Sequence, residues 1–308
     1  MKSKIMIWGI NGFTGWHFQR YIQRKRLTDK YAFVGVDQSI RKIMDIDYVR
    51  ADLCQDGQCE KLIKRHEPDY VINLAGLLRA EAMEDMIRVN VQVSRTLLDV
   101  VLRQHMPVKK ILLIGSAAEY GFPPCLPVPE DTPPNPVNPY GLSKVIQSQF
   151  AHYYFKNHAV PVVIARTFNV IGRHISPFLS VGSFLNQIRN VKNGGAIHVG
   201  NLETRRDFID IADVVEGYWK LLFRGRNGGT YNLCRGESVL IKDILQGMIE
   251  RSRKNIKIVV RSENLKQGDV LDIYGDNTKI KQDTGWRPRI DMNEALDRLF
   301  SNDHGNNG

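Results

Sequence analysis

Gly9, Gly12 and Gly15 stand in the spacing G-x-x-G-x-x-G directly after the apolar run 4–8. A chain that leaves a strand through three positions without side chains turns sharply and starts a helix at once. The N–H groups at that helix's N-terminus, with the positive end of its dipole, suit a pyrophosphate. The first half of the chain then repeats one rhythm: strand-like runs at 31–36, 70–74, 111–115 and 160–165 alternate with longer helical patterns. That rhythm predicts a parallel sheet with helices on both faces, which binds ligands beyond the C-terminal ends of its strands, where the strand order reverses. The glycine turn, with Asn11, Phe13 and Thr14 inside it, is therefore read as the floor of a dinucleotide site.

Asp37 closes the second run, 22 residues beyond Gly15. This is the distance expected of a carboxylate that accepts hydrogen bonds from an adenosine ribose, and it favours NAD(H). A ribose 2'-phosphate would be repelled by Asp37, yet Ser39, Arg41 and Lys42 follow closely, so NADP(H) stays open. Asp52 and Leu53, after a third strand, are placed to border the adenine. Leu74, Ala75 and Gly76, after the fourth, are placed to line the cofactor crevice.

At 308 residues the chain has material for one large domain or two closely joined ones. The expected fold class is α/β: a Rossmann-type doubly wound parallel sheet with a smaller α/β substrate-binding domain. The nucleotide-binding part is expected over 1–168 with a return segment at about 206–235, and the substrate-binding part over about 169–205 and 236–300. Glycine pairs at 194–195 and 228–229 and a late strand-like run at 256–260 mark the irregular second half, and the polar tail 301–308 is expected to fray. No run approaches a membrane span in length, and the amino terminus lacks an export signal's apolar region and cleavage site. The four cysteines, Cys54, Cys59, Cys125 and Cys234, have neither metal-ligand nor disulfide-framework spacing, so no metal is expected and reduced thiols in the cytoplasm are. The net charge of +10 favours anionic partners without choosing among them. Basic residues at 24–26 and at Arg251, Arg253 and Lys254 suit helix C-termini, and without a basic helix or aromatic stripe no nucleic-acid partner is expected.

Eight of the 13 prolines fall between Pro123 and Pro139, which predicts a semi-rigid loop. It ends at a helix start, with Asn138 as the N-cap and Pro139 at the first helical position. Tyr140 and Lys144, one turn apart, then project toward the same volume. A tyrosine's ordinary pKa of about 10 makes it a poor base, and a neighbouring ammonium and an oxidised nicotinamide would favour its phenolate. Ser116, at the end of run 111–115, is placed to hydrogen-bond the reacting oxygen. Together these residues suit exchange of a proton alongside a nicotinamide hydride.

GINGFTG at 9–15, IGSAAEYG at 114–121 and NPYGLSK at 138–144 resemble the extended short-chain dehydrogenase/reductase family, over nearly the whole chain. ARTFNVIG at 165–172, VGNLETRRDF at 199–208, YNLCRGES at 231–238 and TGWRPRI at 284–290 resemble one branch of it, the GDP-6-deoxy-D-mannose reductases. The resemblance implies Ser116, Tyr140 and Lys144 as the catalytic residues and Asn90 as a helper that supports the lysine through water. It implies a nucleotide sugar, GDP-linked, near Ser116, Ala117, Ala118, Val199 and Asn201. Asn169 and Arg206 would hold the diphosphate, and Lys266 and Asp269 stand where relatives carry Arg and Glu for the diphosphate and ribose. Lys266 keeps the charge but not the bidentate fork, which weakens the guanine assignment.

Family dehydratases carry an acid and a base directly after the catalytic threonine. Here those positions are Ala117 and Ala118, which cannot transfer protons. A ketoreductase or a 4-epimerase with bound NAD remains, with a non-catalytic dinucleotide-binding regulator as the reading from another class. The resemblance also implies a homodimer, through helices at roughly 81–103 and 140–157.

Overall fold

The computed structural model describes residues 2–261 and 270–301. Lys266, Asp269 and residues 302–308, on which ligand-binding and fraying expectations fall, lie outside the described residues. The chain runs β1 (Ser3–Trp8), α1 (Phe13–Arg24), β2 (Tyr31–Asp37), β3 (Asp47–Arg50), α2 (Gln58–His66), β4 (Tyr70–Asn73), α3 (Met83–Met86), a π-helical turn (Ile87–Gln92), α4 (Val93–Arg103), β5 (Lys110–Ser116), α5 (Pro139–His158) and β6 (Val162–Thr167). It continues through β7 (Asn169–Ile171), α6 (Ser180–Asn190), β8 (Ala196–Val199), β9 (Arg205–Arg206), β10 (Phe208–Asp210), α7 (Ile211–Arg224) and β11 (Thr230–Leu233). It closes with β12 (Val239–Leu240), α8 (Ile241–Ser252), β13 (Lys257–Val260), β14 (Asp272–Ile273), α9 (Thr278–Thr284) and α10 (Met292–Phe300).

Seven strands pair in parallel in the order β11-β6-β5-β4-β1-β2-β3, so the order reverses between β1 and β4. Alternation along β1 explains why both faces are covered. Ile5 and Ile7 join Phe18 and Ile22 of α1 and Tyr218 and Leu221 of α7 in one core, while Met6 and Trp8 join Leu62 of α2, Leu97 of α4 and Ala151 of α5 in another. This is the doubly wound, Rossmann-type arrangement expected from the sequence.

The second half builds its own core from β8 and helices α6, α8 and α10, with Ile188, Ile197, Val199, Leu245, Met248 and Leu299 buried together. Here β9 lies between β12 and β14, and β10 pairs with β7. Lys254 explains one of the basic clusters. Its Nζ donates to the carbonyls of Ile188, Arg189 and Val191 at 2.8–2.9 Å, closing the C-terminal end of α6. The 284–290 segment is structural: Trp286 is buried and donates to Asp213 O at 3.0 Å, and the Asp213 carboxylate accepts from the N–H groups of Arg289 and Ile290. The helix expected from about residue 81 starts at Met83 and passes through the π-turn before α4.

In the turn after β1, a Cβ on Gly15 would lie 2.3 Å from Ile10 O and 2.4 Å from Gly9 O, so a side chain there pushes α1 off the strand. At Gly12 the nearest atom would be 3.3 Å away. Gly15→Ala is therefore expected to lower unfolding free energy by about 1–3 kcal/mol in urea titration. Gly12→Ala should change it by less than about 1 kcal/mol.

Candidate active site

The crevice where the strand order reverses opens between the turn after β1 and the exit of β4. Gly9 fits there for two reasons: its φ is +76°, and a Cβ would lie 2.8 Å from Ala75 N. Gly12 caps α1 without any side-chain hydrogen bond, and the helix has no acid in its first turn. The first N–H groups of α1, over Phe13 and Thr14, therefore face a bare backbone cradle that suits a pyrophosphate. Asn11 donates its side-chain amide to Ser39 O, and its Oδ1 is buried without a partner. Asp37 accepts from Asn11 N at 3.0 Å and from Ser39 N at 3.3 Å, which aims its carboxylate along the same edge. Asp52 accepts from Gln38 Nε2 and Cys54 N, both at 3.0 Å, and Leu53 and Ala75 pack against the core under the crevice. Leu74 packs against the opposite core. These residues fit a dinucleotide.

Asn138 caps α5 by accepting from Gly141 N at 2.8 Å, with Pro139 at the first helical position as expected. Gly141 is required by its neighbour: a Cβ would lie 2.4 Å from Ala118 O. This close approach brings Tyr140 against the end of β5, where its hydroxyl shares a hydrogen bond with Ser116. Lys144 is buried, and its Nζ donates to Ile114 O at 2.9 Å and Gln147 Oε1 at 3.1 Å. Gly76 completes the convergence, since a Cβ there would lie 3.2 Å from Asn90 Oδ1 and 3.6 Å from Lys144 Nζ.

Burial raises the pKa of Tyr140 to about 12, against the lowering effect of the Ser116 hydrogen bond. Burial lowers Lys144 to about 8, with Glu119 pulling the other way. The Lys144 ammonium lies 6.0 Å from the Tyr140 ring centre and donates to Ile114 O and Gln147 Oε1, so in the protein by itself desolvation outweighs its pull on the phenol.

Asn90 is buried in the π-helical turn. Its side chain clamps the backbone of Leu77, accepting from N at 2.8 Å and donating to O at 3.0 Å, and donates to Ser143 Oγ at 2.9 Å. It therefore fixes the loop after β4 to α5. Val199 is a core residue whose carbonyl accepts from Arg261 N at 3.0 Å. Asn201 folds back to accept from Glu203 N at 2.9 Å. Asn169 begins β7 and Arg206 ends β9, and both meet the backbone around Asp207.

Glu119, the residue after Ala117 and Ala118, organises the site. Its Oε1 accepts from Ser116 N at 2.8 Å, and its Oε2 accepts from Ser148 Oγ at 2.9 Å and Arg166 Nε at 3.0 Å. The Ser116 hydroxyl accepts from Ala118 N at 3.1 Å, closing a reciprocal capping box. Glu119 thus points away from the crevice, and Ala117 and Ala118 bring no acid or base to replace it. The adjacent Gly115 was the available signal, since a Cβ there would lie 2.6 Å from Glu119 Oε1. Among the described residues no group of three His, Cys, Asp or Glu could hold a metal ion, and no helix is long and apolar enough to cross a membrane.

Residues 5–234 match the model of the NAD dependent epimerase/dehydratase family, and the chain belongs to that family. GDP-6-deoxy-D-mannose reductase of Pseudomonas aeruginosa is 27% identical over 98% of this chain and 97% of its own. UDP-glucose 4-epimerase of Bacillus subtilis is 25% identical over 81% and 79%. The structure of RMD from Pseudomonas aeruginosa complexed with NADPH superposes with a TM-score of 0.81 at 25% identity, covering 97% of each chain. UDP-glucuronic acid 4-epimerase from Bacillus cereus, in complex with UDP-glucuronic acid and NAD, shares the fold, with a TM-score of 0.83 at 23% identity over 96% and 97%.

Lys144 gives a signed pH test. Its folded pKa of about 8 lies below the ordinary 10.5, so the folded state carries a disfavoured buried ammonium at every pH below 8. That penalty fades as pH rises from 8 toward 10.5. Lys144→Met should raise the melting temperature of the ligand-free protein at pH 7, by about 3 °C or more, and the gain should shrink by pH 10. Scanning calorimetry at both pH values checks this.

Proposed function

We propose that the protein is an NAD(P)H-dependent reductase of the C4 ketone of a nucleotide-activated 4-keto-6-deoxy sugar, of the type that converts GDP-4-keto-6-deoxy-mannose to GDP-D-rhamnose. The observation that carries this reading is the meeting of Tyr140 with the Ser116 end of β5, where the following residues are Ala117 and Ala118 and the Glu119 carboxylate is held by Ser148 and Arg166. Reduction of a ketone needs one acid at one oxygen, whereas dehydration needs a further acid and base, and Glu119 is turned away into its pair with Arg166. The similarity to the Pseudomonas aeruginosa reductase over nearly the full length of both chains supports reduction over epimerisation.

Bound NAD(P)H supplies hydride chemistry at the ketone carbon. Tyr140 gives its hydroxyl proton to the ketone oxygen, which becomes the C4 hydroxyl. Ser116 holds that oxygen, and the Lys144 ammonium favours the phenolate left behind. Neutral reduced nicotinamide adds no positive charge, so Tyr140 starts the reaction protonated, as an acid must. Asn169 and Arg206 hold the substrate diphosphate, the guanidinium through its fork of donors. Asp37 supports NAD(H) over NADP(H), because its carboxylate repels a ribose 2'-phosphate. A homodimer through the helical stretches 83–103 and 139–158 belongs to the same reading.

The test is nicotinamide oxidation on mixing the protein with GDP-4-keto-6-deoxy-mannose, with NADH and NADPH supplied separately. Stoichiometric oxidation is expected, faster with NADH, and Tyr140→Phe should lower kcat by about 10²–10⁴. If neither cofactor is oxidised while UDP- or GDP-sugars interconvert at C4 without added cofactor, the protein is an epimerase and the reductase reading fails.

A further inference from the structure

Asp207 is the single residue between β9 and β10, and so joins two small sheets. Its backbone N–H donates to Ile273 O at 3.0 Å, which fixes the end of β9 beside β14. Its backbone carbonyl accepts from Asn169 N at 3.1 Å and Asn169 Nδ2 at 3.2 Å, which fixes the start of β7. The side chain is fully buried and accepts only backbone N–H groups: Arg235 at 2.8 Å, Gly236 at 2.9 Å and Gly275 at 3.3 Å. One residue therefore binds four segments: the start of β7 through Asn169, the exit of β11 through Arg235 and Gly236, the exit of β14 through Gly275, and β9 itself.

Both residues assigned to the diphosphate adjoin this joint. Arg206 precedes Asp207 and leans its guanidinium on Val270 O at 2.6 Å, and Asn169 spends one amide hydrogen on the Asp207 carbonyl. A free carboxylate so near would repel a diphosphate. Here three N–H groups take up that charge inside the protein, and the joint can lie under the anion's site without opposing it.

We propose that Asp207 is a positioning residue for the substrate diphosphate: by gathering the exits of β11 and β14 onto its carboxylate, it holds Arg206 and Asn169 at one separation and orientation. This rests on the reading of Arg206 and Asn169 as diphosphate ligands. Asp207 touches neither substrate nor cofactor and takes no part in proton transfer at Tyr140.

The test uses Asp207→Asn, which keeps shape but turns an amide N–H toward backbone N–H donors, with Arg206→Lys and the double variant. GDP and UDP affinities are measured by titration calorimetry, and kcat and KM under the turnover assay. Asp207→Asn is expected to weaken the tighter nucleotide about tenfold and raise KM similarly, with kcat within about twofold of the unsubstituted enzyme and NADH affinity unchanged. The double variant should lose less affinity than the sum of the two single losses, because part of the Asp207 effect acts through the Arg206 side chain. If Arg206→Lys leaves nucleotide affinity untouched, the diphosphate reading itself fails. If Arg206→Lys weakens binding while folded Asp207→Asn does not, or if Asp207→Asn lowers kcat and NADH affinity together, the positioning role is overturned. Should Asp207→Asn not fold, hydrogen exchange on the unsubstituted protein decides: the bound nucleotide must slow exchange at Arg235, Gly236 and Gly275, and unchanged rates overturn the proposal.

Discussion

Glu119 is a carboxylate withdrawn from water, and much of the site's geometry follows from how it is satisfied. Burial raises its pKa, against the pull of Arg166 and the donors from Ser116 and Ser148. Each donor belongs to a different element: Ser116 ends β5, Ser148 lies on α5 and Arg166 on β6. Arg166 then extends the network by donating to Glu130 O at 3.0 Å and covering the Tyr120 ring at 4.8 Å. Tyr120 donates to Asn232 Oδ1 at 2.6 Å, and Asn232 N donates to Glu130 Oε1 at 3.0 Å, which ties the proline-rich loop to β11. Removing one partner of such a buried pair leaves an uncompensated charge, an effect of about 3–5 kcal/mol. The same pair holds the Glu119 carboxylate, which follows the end of β5, away from the crevice.

A second constraint couples the two halves of the molecule. Phe13, inside the glycine turn, packs against both the sheet core and the core of the second half. Gly172, at the exit of β7, would bring a Cβ within 3.6 Å of the Phe13 ring and within 2.4 Å of Ile211. The turn that suits a pyrophosphate and the segment that carries Asn169 therefore share one packed contact. Their relative position is set by dense side-chain packing, which tolerates little displacement.

The parts legible in the sequence were those governed by local rules. The β1 turn, the alternation of strands and helices, the Asn138–Pro139 helix start and the one-turn spacing of Tyr140 and Lys144 each depend on a few adjacent residues. The partners of Glu119 and Tyr120 escaped notice because they are distant in the chain: 47 residues separate Glu119 from Arg166 and 112 separate Tyr120 from Asn232. Asp207 was hidden for the same reason, since a sequence does not say that the N–H groups of residues 235, 236 and 275 meet at one carboxylate.

What the sequence by itself determined was the inventory: an α/β chain with a dinucleotide turn, one serine, one tyrosine and one lysine in a recurring order, and alanines where an elimination would need proton carriers. Backbone chemistry at glycine, proline and helix caps acts over a turn or two, and so can be read in one dimension. Only the tertiary structure decided the desolvation of Tyr140 and Lys144, the withdrawal of Glu119 and the convergence of four segments on Asp207. Those depend on desolvation and on hydrogen bonds between residues far apart in sequence, neither of which exists until the chain has closed around them.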